Sequence, residues 1–163
     1  MSFLPSEYEI PVDQKYFKLQ QGENRFRIIG NPVIGWLDWK DRKPLRFRMD
    51  DRPDRPVDAN QPIRHFWAFV VWNPTLQCLQ IMEVHQKSIQ ASLKSLFDDK
   101  DWGEPSGYDI KIIKEGEGRE TEYTVQPVPH KPIAPEVQQL FDNAKINLEK
   151  LFTGDDPFMS DAI

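Results

Sequence analysis

Three observations predict a mainly β chain with one helix inside the strand order and a second near the C-terminal end. Fourteen prolines in 163 residues argue against a helical bundle. Short β-branched and aromatic runs bounded by Pro, Asn or Gly recur along the chain, with period-2 alternation clearest at 25–29. Helical spacing is confined to 86–97 and 137–152.

Residues 1–14 read as an arm with Pro5 and Pro11, and Gly22-Glu23-Asn24 reads as a turn. In the run that follows, Phe26 and Ile28 take one face and Arg25 and Arg27 the other, as in a half-buried strand. Residues 33–39 look extended again, so Gly30 and Gly35 would bend one long first strand. Four prolines and alternating Asp and Arg make 40–62 an exposed loop with room for one short hairpin; loops of this length are usually functional or disordered. Residues 65–72 and 78–84 form a hairpin. Ile89, Leu93, Leu96 and Phe97 then mark a helix, and 108–114 and 121–126 are two further strands around a Glu-Gly-Glu-Gly turn. Pro127–Pro135 leaves as a semi-rigid linker. Val137, Leu140, Phe141, Ala144, Leu148, Leu151 and Phe152 give an amphipathic helix that Gly154 ends.

The order β, β, β, α, β, β is that of the OB-fold, a five-stranded Greek-key barrel with a helix between strands 3 and 4. The expected organisation is an arm (1–14), the barrel domain (15–130), a Pro-rich linker with the C-terminal helix (131–152) and an acidic tail (153–163).

Composition narrows the function. The chain carries a net charge of −5, but 41–64 hold seven Lys/Arg against five acids, whereas 136–163 hold two against six. Cys78 is the only cysteine, which suits a reducing cytoplasm, and no basic stretch followed by an apolar run marks a leader or a membrane span. His65, His85 and His130 with one cysteine give no zinc spacing. No phosphate-cradling Gly-rich loop or Gly-x-Ser-x-Gly elbow is present, and the Asp98/Asp99 pair reads as solvated, so neither an enzyme, a metal nor a cofactor is expected.

Between 36 and 72 lie Trp36, Trp39, Phe47, Phe66, Trp67, Phe69 and Trp72 among Arg42, Lys43, Arg46, Arg48, Arg52, Arg55 and Arg64. Flat rings between cations suit a single-stranded nucleic acid, whose bases stack and whose phosphates need neutralising. On the strand 65–72, Phe66, Ala68, Val70 and Trp72 share one face and His65, Trp67, Phe69 and Val71 the other, and only one face is expected inside. Ala68 and Val70 have sizes suited to a tight interior, which puts His65, Trp67 and Phe69 on the ligand face; the opposite assignment stays open. Trp36 and Trp39 can both line a groove mouth, or one can be core. Phe47, between Arg46 and Arg48, tips a loop or hairpin. Arg25, Arg27, Arg46, Arg48 and Arg64 are candidate phosphate contacts, whereas Arg52 and Arg55, set among Asp50, Asp51 and Asp54, read as a solvated surface.

The ordered set Tyr16-Phe17-Lys18-Leu19-Gln20-Gln21-Gly22-Glu23-Asn24-Arg25-Phe26-Arg27-Ile28, His65-Phe66-Trp67-Ala68-Phe69-Val70-Val71, Gln86-Lys87-Ser88-Ile89, Trp102-Gly103 and Gly107-Tyr108-Asp109-Ile110 resembles the single-stranded DNA-binding proteins of tailed bacteriophages and prophages, over roughly 14–130. The resemblance implies an OB-fold that coats single-stranded DNA with little sequence preference during replication and recombination in a bacterial host. It also implies an acidic tail (Asp155, Asp156, Phe158) that meets replication proteins. Many such tails finish on an aromatic residue; here five residues follow Phe158. Two other classes fit the residues: an interaction adaptor working through the C-terminal helix and tail, and an oligosaccharide-binding barrel, which has less need of arginine. A homo-oligomer is compatible with all three.

Overall fold

The computed structural model describes residues 3–8 and 14–159; part of the expected arm and the tail from 160 onward lie outside them. The chain is mainly β, with six strands rather than five: β1 (Gly22–Lys40), β2 (Lys43–Arg48), β3 (Arg64–Asn73), β4 (Cys78–Val84), β5 (Ile110–Glu115) and β6 (Glu122–Pro127). Two helices accompany them, α1 (Lys87–Asp98) between β4 and β5, and α2 (Pro135–Ala144) after the sheet. No helix among the described residues is long and apolar enough to cross a membrane.

β1 organises the sheet because it is long and bent. Its first part pairs β5 over Gly22–Phe26, its middle pairs β3 over Arg27–Leu37, and its end pairs β2 over Gly35–Lys40, all antiparallel. The register shifts between Ile29 and Val33, where Gly30 has φ +77°, a conformation glycine adopts without strain. Asn24 fastens the start of the strand: its Nδ2 donates to the carbonyls of Gln20 and Ile112, at 2.8 and 3.0 Å. The short hairpin allowed for in 40–62 is β2, joined to β1 through Asp41 and Arg42, both with positive φ as a two-residue turn of matching twist requires.

The strand order is β4-β3-β1-β5-β6, with β2 on β1. β4 and β6, at the two ends of this order, do not pair, so the sheet is not closed. α1 packs on β6 and covers one face of the sheet, with Ile89 and Leu93 in one core with Phe26, Ile28, Phe69, Val71, Met82 and Ile110.

Both faces of β3 are covered, against the expectation that only one is inside. Phe69 is 2% exposed in the core beneath α1, so the ligand-face assignment fails there; Trp67 is half-buried against the same core. Phe66, Ala68 and Val70, on the other face, form a second core with Leu37, Ile81, Leu148 and Leu151, and Phe152 and Phe158 pack against it. The cover comes from a broken C-terminal helix. α2 stops at Ala144, Lys145 turns left-handed (φ +49°), and Asn147 caps a 3₁₀ turn, Leu148–Phe152, by accepting from the Glu149 amide. The stripe expected on one helix is thereby split. Val137 and Phe141 stay on α2, with the Phe141 ring against Gly30, and Leu148 and Leu151 swing onto the sheet, while Leu140 remains 51% exposed.

Candidate functional site

A groove of about 650 Å³ opens between the 49–64 segment, the start of β3 and the N-terminal end of α1. Trp36 on β1 forms its wall, opposite His65 on β3 in the sheet register. The indole Nε1 donates to the Met49 carbonyl at 3.1 Å, fixing the ring, and the Arg52 guanidinium lies 4.5 Å from the ring centroid. The segment carrying Arg52 is pinned by buried Asp38, whose carboxylate accepts from the Val57 amide at 3.0 Å and the Trp39 amide at 2.8 Å.

Around the ring the polar groups are set by the fold. The Trp67 indole can only donate, so at 3.2 Å it makes His65 Nε2 the acceptor and places the proton on Nδ1, which donates to the Gly35 carbonyl at 2.9 Å. Buried Gln90 donates from Nε2 to the carbonyls of His65 and Val84, tying α1 to the ends of two strands. Arg64 and Lys87 are exposed at the rim and form no ion pair among the described residues. Lys87 opens α1, whose first turn holds no acidic residue, so its charge and the positive end of the helix dipole add. Burial, then the charge of Arg64, holds the His85 imidazole below its usual range, with Glu83 opposing; its Nδ1 is buried without a hydrogen-bond partner.

In a chain of net charge −5, this groove carries Arg52, Arg64, Lys87 and two imidazoles, and none of its lining residues is a carboxylate. Such a lining can hold a flat, anionic ligand through ring stacking and charge. No family model, curated protein or solved structure matches the chain.

The other expected contacts are spread elsewhere. Arg25 and Arg27 both bind Asp109, at 2.9 and 2.7 Å, and Arg27 is buried, also donating to the Ser106 carbonyl. That makes Arg27 a strut between β1 and the approach to β5, not a free phosphate contact. Arg46 forks onto Glu83, at 3.2 and 2.7 Å, and lies over Phe66; Arg48 pairs with Glu149 and sits 4.6 Å from the centre of the Phe152 ring. Phe47 is half-buried opposite Trp36, and Trp39 is 39% exposed on the far face. Of the tail residues, Asp156 pairs with Lys15 at 3.0 Å and accepts from the Phe158 amide, which together keep its carboxyl below the usual range; Phe158 meets Tyr16 edge-on. Asp155 accepts from the Thr153 hydroxyl.

The structure thus brings together Trp36, Arg64 and His65, and adds three residues that sequence reasoning passed over. Arg52 was masked by its Asp neighbours. Lys87 carried a usable signal: a cation in the first turn opposes the helix dipole and is better tolerated where an anion binds. His85, next to the helix start, carried none.

Proposed function

We propose that this protein binds single-stranded DNA without catalysing a reaction, coating it with little sequence preference during phage replication and recombination in a bacterial host. The observation that carries the reading is the groove at Trp36: an indole framed by Arg52, Arg64 and Lys87, with no carboxylate in the lining of an acidic protein. Bases stack on rings whatever their sequence, and each phosphate neutralised adds to the salt dependence. The strand order supports an OB-type reading: with β2 set aside as an addition to the first long connection, five antiparallel strands run β4-β3-β1-β5-β6 with a helix between β4 and β5. The resemblance of the ordered motifs to those of phage single-strand-binding proteins suggests the biological setting.

Titration with oligothymidylate at low and high salt, followed by tryptophan emission and gel mobility, tests the reading. Quenching and a shift that weaken with salt are expected; unchanged emission and mobility at low salt would reject it, and salt-insensitive binding would favour a sugar ligand. An adaptor role gains support from Leu140, exposed on α2. In that case Leu140→Glu would abolish partner capture while leaving DNA affinity as it was.

A further inference from the structure

A second groove, of about 470 Å³, lies on the opposite face of the same sheet end and shares one residue with the first, His85. Trp36 and Trp39 are three residues apart in an unbroken stretch of β1, opposite Phe47 and Pro44 of β2, so their rings leave opposite faces of the sheet. Trp36 lines the first groove and Trp39 the second, where 39% of it meets solvent. Lys18 stands exposed in the second groove and pairs with no carboxylate among the described residues. The single carboxylate there, Glu83, is engaged by both arms of the Arg46 fork. His85 lines both grooves, with its unpartnered Nδ1 buried, and Arg64 lines the first groove close enough for its charge to act on that imidazole. Beyond the second groove the outer face is closed by the C-terminal segment, through Phe158 against Tyr16 and Asp156 on Lys15.

We infer that a strand held at Trp36 crosses the sheet end over Arg64 and His85 and continues into this second groove, where Trp39 stacks a base and Lys18 meets a phosphate. The inference rests on the proposed single-strand binding at the first groove. It makes the path two subsites on opposite faces of one sheet end, stopped by the docked C-terminal segment. The footprint then falls near the short end of the roughly 4–16 nucleotides such domains cover.

Oligothymidylates of two lengths, a trinucleotide and a strand of about ten, separate the two claims. Trp36→Ala is expected to weaken both. Trp39→Ala and Lys18→Gln are expected to weaken the longer strand selectively, Trp39→Ala by between about 5- and 150-fold, the loss of one stacked base. A strand carrying 5-iododeoxyuridine, photo-crosslinked to the wild-type chain, should label Trp39 as well as Trp36, a readout that requires no variant to fold. Loss at Trp36 alone, with no length-selective loss and no crosslink at Trp39, overturns the second subsite and leaves the first standing. No binding of either length to the wild-type chain overturns both.

Discussion

The Arg52 guanidinium lies 4.5 Å from the centre of the Trp36 ring, while the indole nitrogen is held by the Met49 carbonyl three residues before Arg52. Ring and cation are therefore positioned by one stretch of backbone. A base entering the groove finds a fixed indole edge and a guanidinium plane that can lift and stack on it. Trp36→Ala should cost about 1–3 kcal/mol of oligothymidylate binding. Fluorescence anisotropy of a labelled strand measures it, and an unchanged affinity would remove Trp36 from the site.

The Asp109 carboxylate holds Arg25 and Arg27 together, and the Arg27 side chain keeps only 6% exposure. Removing the acid strands a buried cation, which is more damaging than losing a surface pair. Asp109→Asn should lower unfolding stability by about 3 kcal/mol, read by urea denaturation, while the folded fraction keeps its DNA affinity. A large loss of DNA affinity with intact stability would return these arginines to the binding surface.

At Gly35 both β2 and the C-terminal cover come close to β1. A Cβ there would sit 2.1 Å from the Phe47 carbonyl oxygen and 3.0 Å from the Phe152 ring. Backbone paired in a sheet gives way less readily than a side chain, so Gly35→Ala should destabilise by at least about 2 kcal/mol. The same change should increase exchange of the β2 amides, measurable by hydrogen–deuterium exchange.

His85 is held neutral by burial and by Arg64, so its folded pKa lies below the ordinary 6.5 and the unfolded chain binds the proton more readily. Its contribution to stability is complete above pH 6.5 and is lost as pH falls through the lowered folded value. Thermal unfolding should show this loss in wild type and a flatter profile in His85→Gln. A bound polyanion favours the imidazolium, so saturation with oligothymidylate should reduce the acid sensitivity. An identical pH profile with and without DNA would place the strand away from His85.

Much of the framework was legible because the chain obeys its local rules. Alternation at Phe26 and Ile28 gave the first strand, Gly30 gave its bend, and Ile89 and Leu93 gave the face of α1 turned to the core. Periodicity could not reveal that the stripe from Val137 to Phe152 breaks at Lys145 and Asn147, because Leu148 and Leu151 continue the helical spacing while packing on the sheet from a 3₁₀ turn. That break decides the fate of β3. A strand apolar on both faces reads as half-exposed until a second cover is known, and here the second cover is the chain's own C-terminal segment. The site was legible in its parts, Trp36, Arg64 and His65, but not in its grouping. Pairing choices such as Arg46 with Glu83 and Arg27 with Asp109 join residues 37 and 82 positions apart, which no local pattern encodes.

The salt dependence of binding compared between the wild-type chain and the variant Arg52→Gln/Arg64→Gln/Lys87→Gln tests the central claim most directly. Each cation that neutralises a phosphate on a single strand contributes about 0.7 to the slope of log affinity against log salt, so the variant's slope should be shallower by about 2. An unchanged slope, with affinity preserved, would show that phosphates are held elsewhere and would contradict the account.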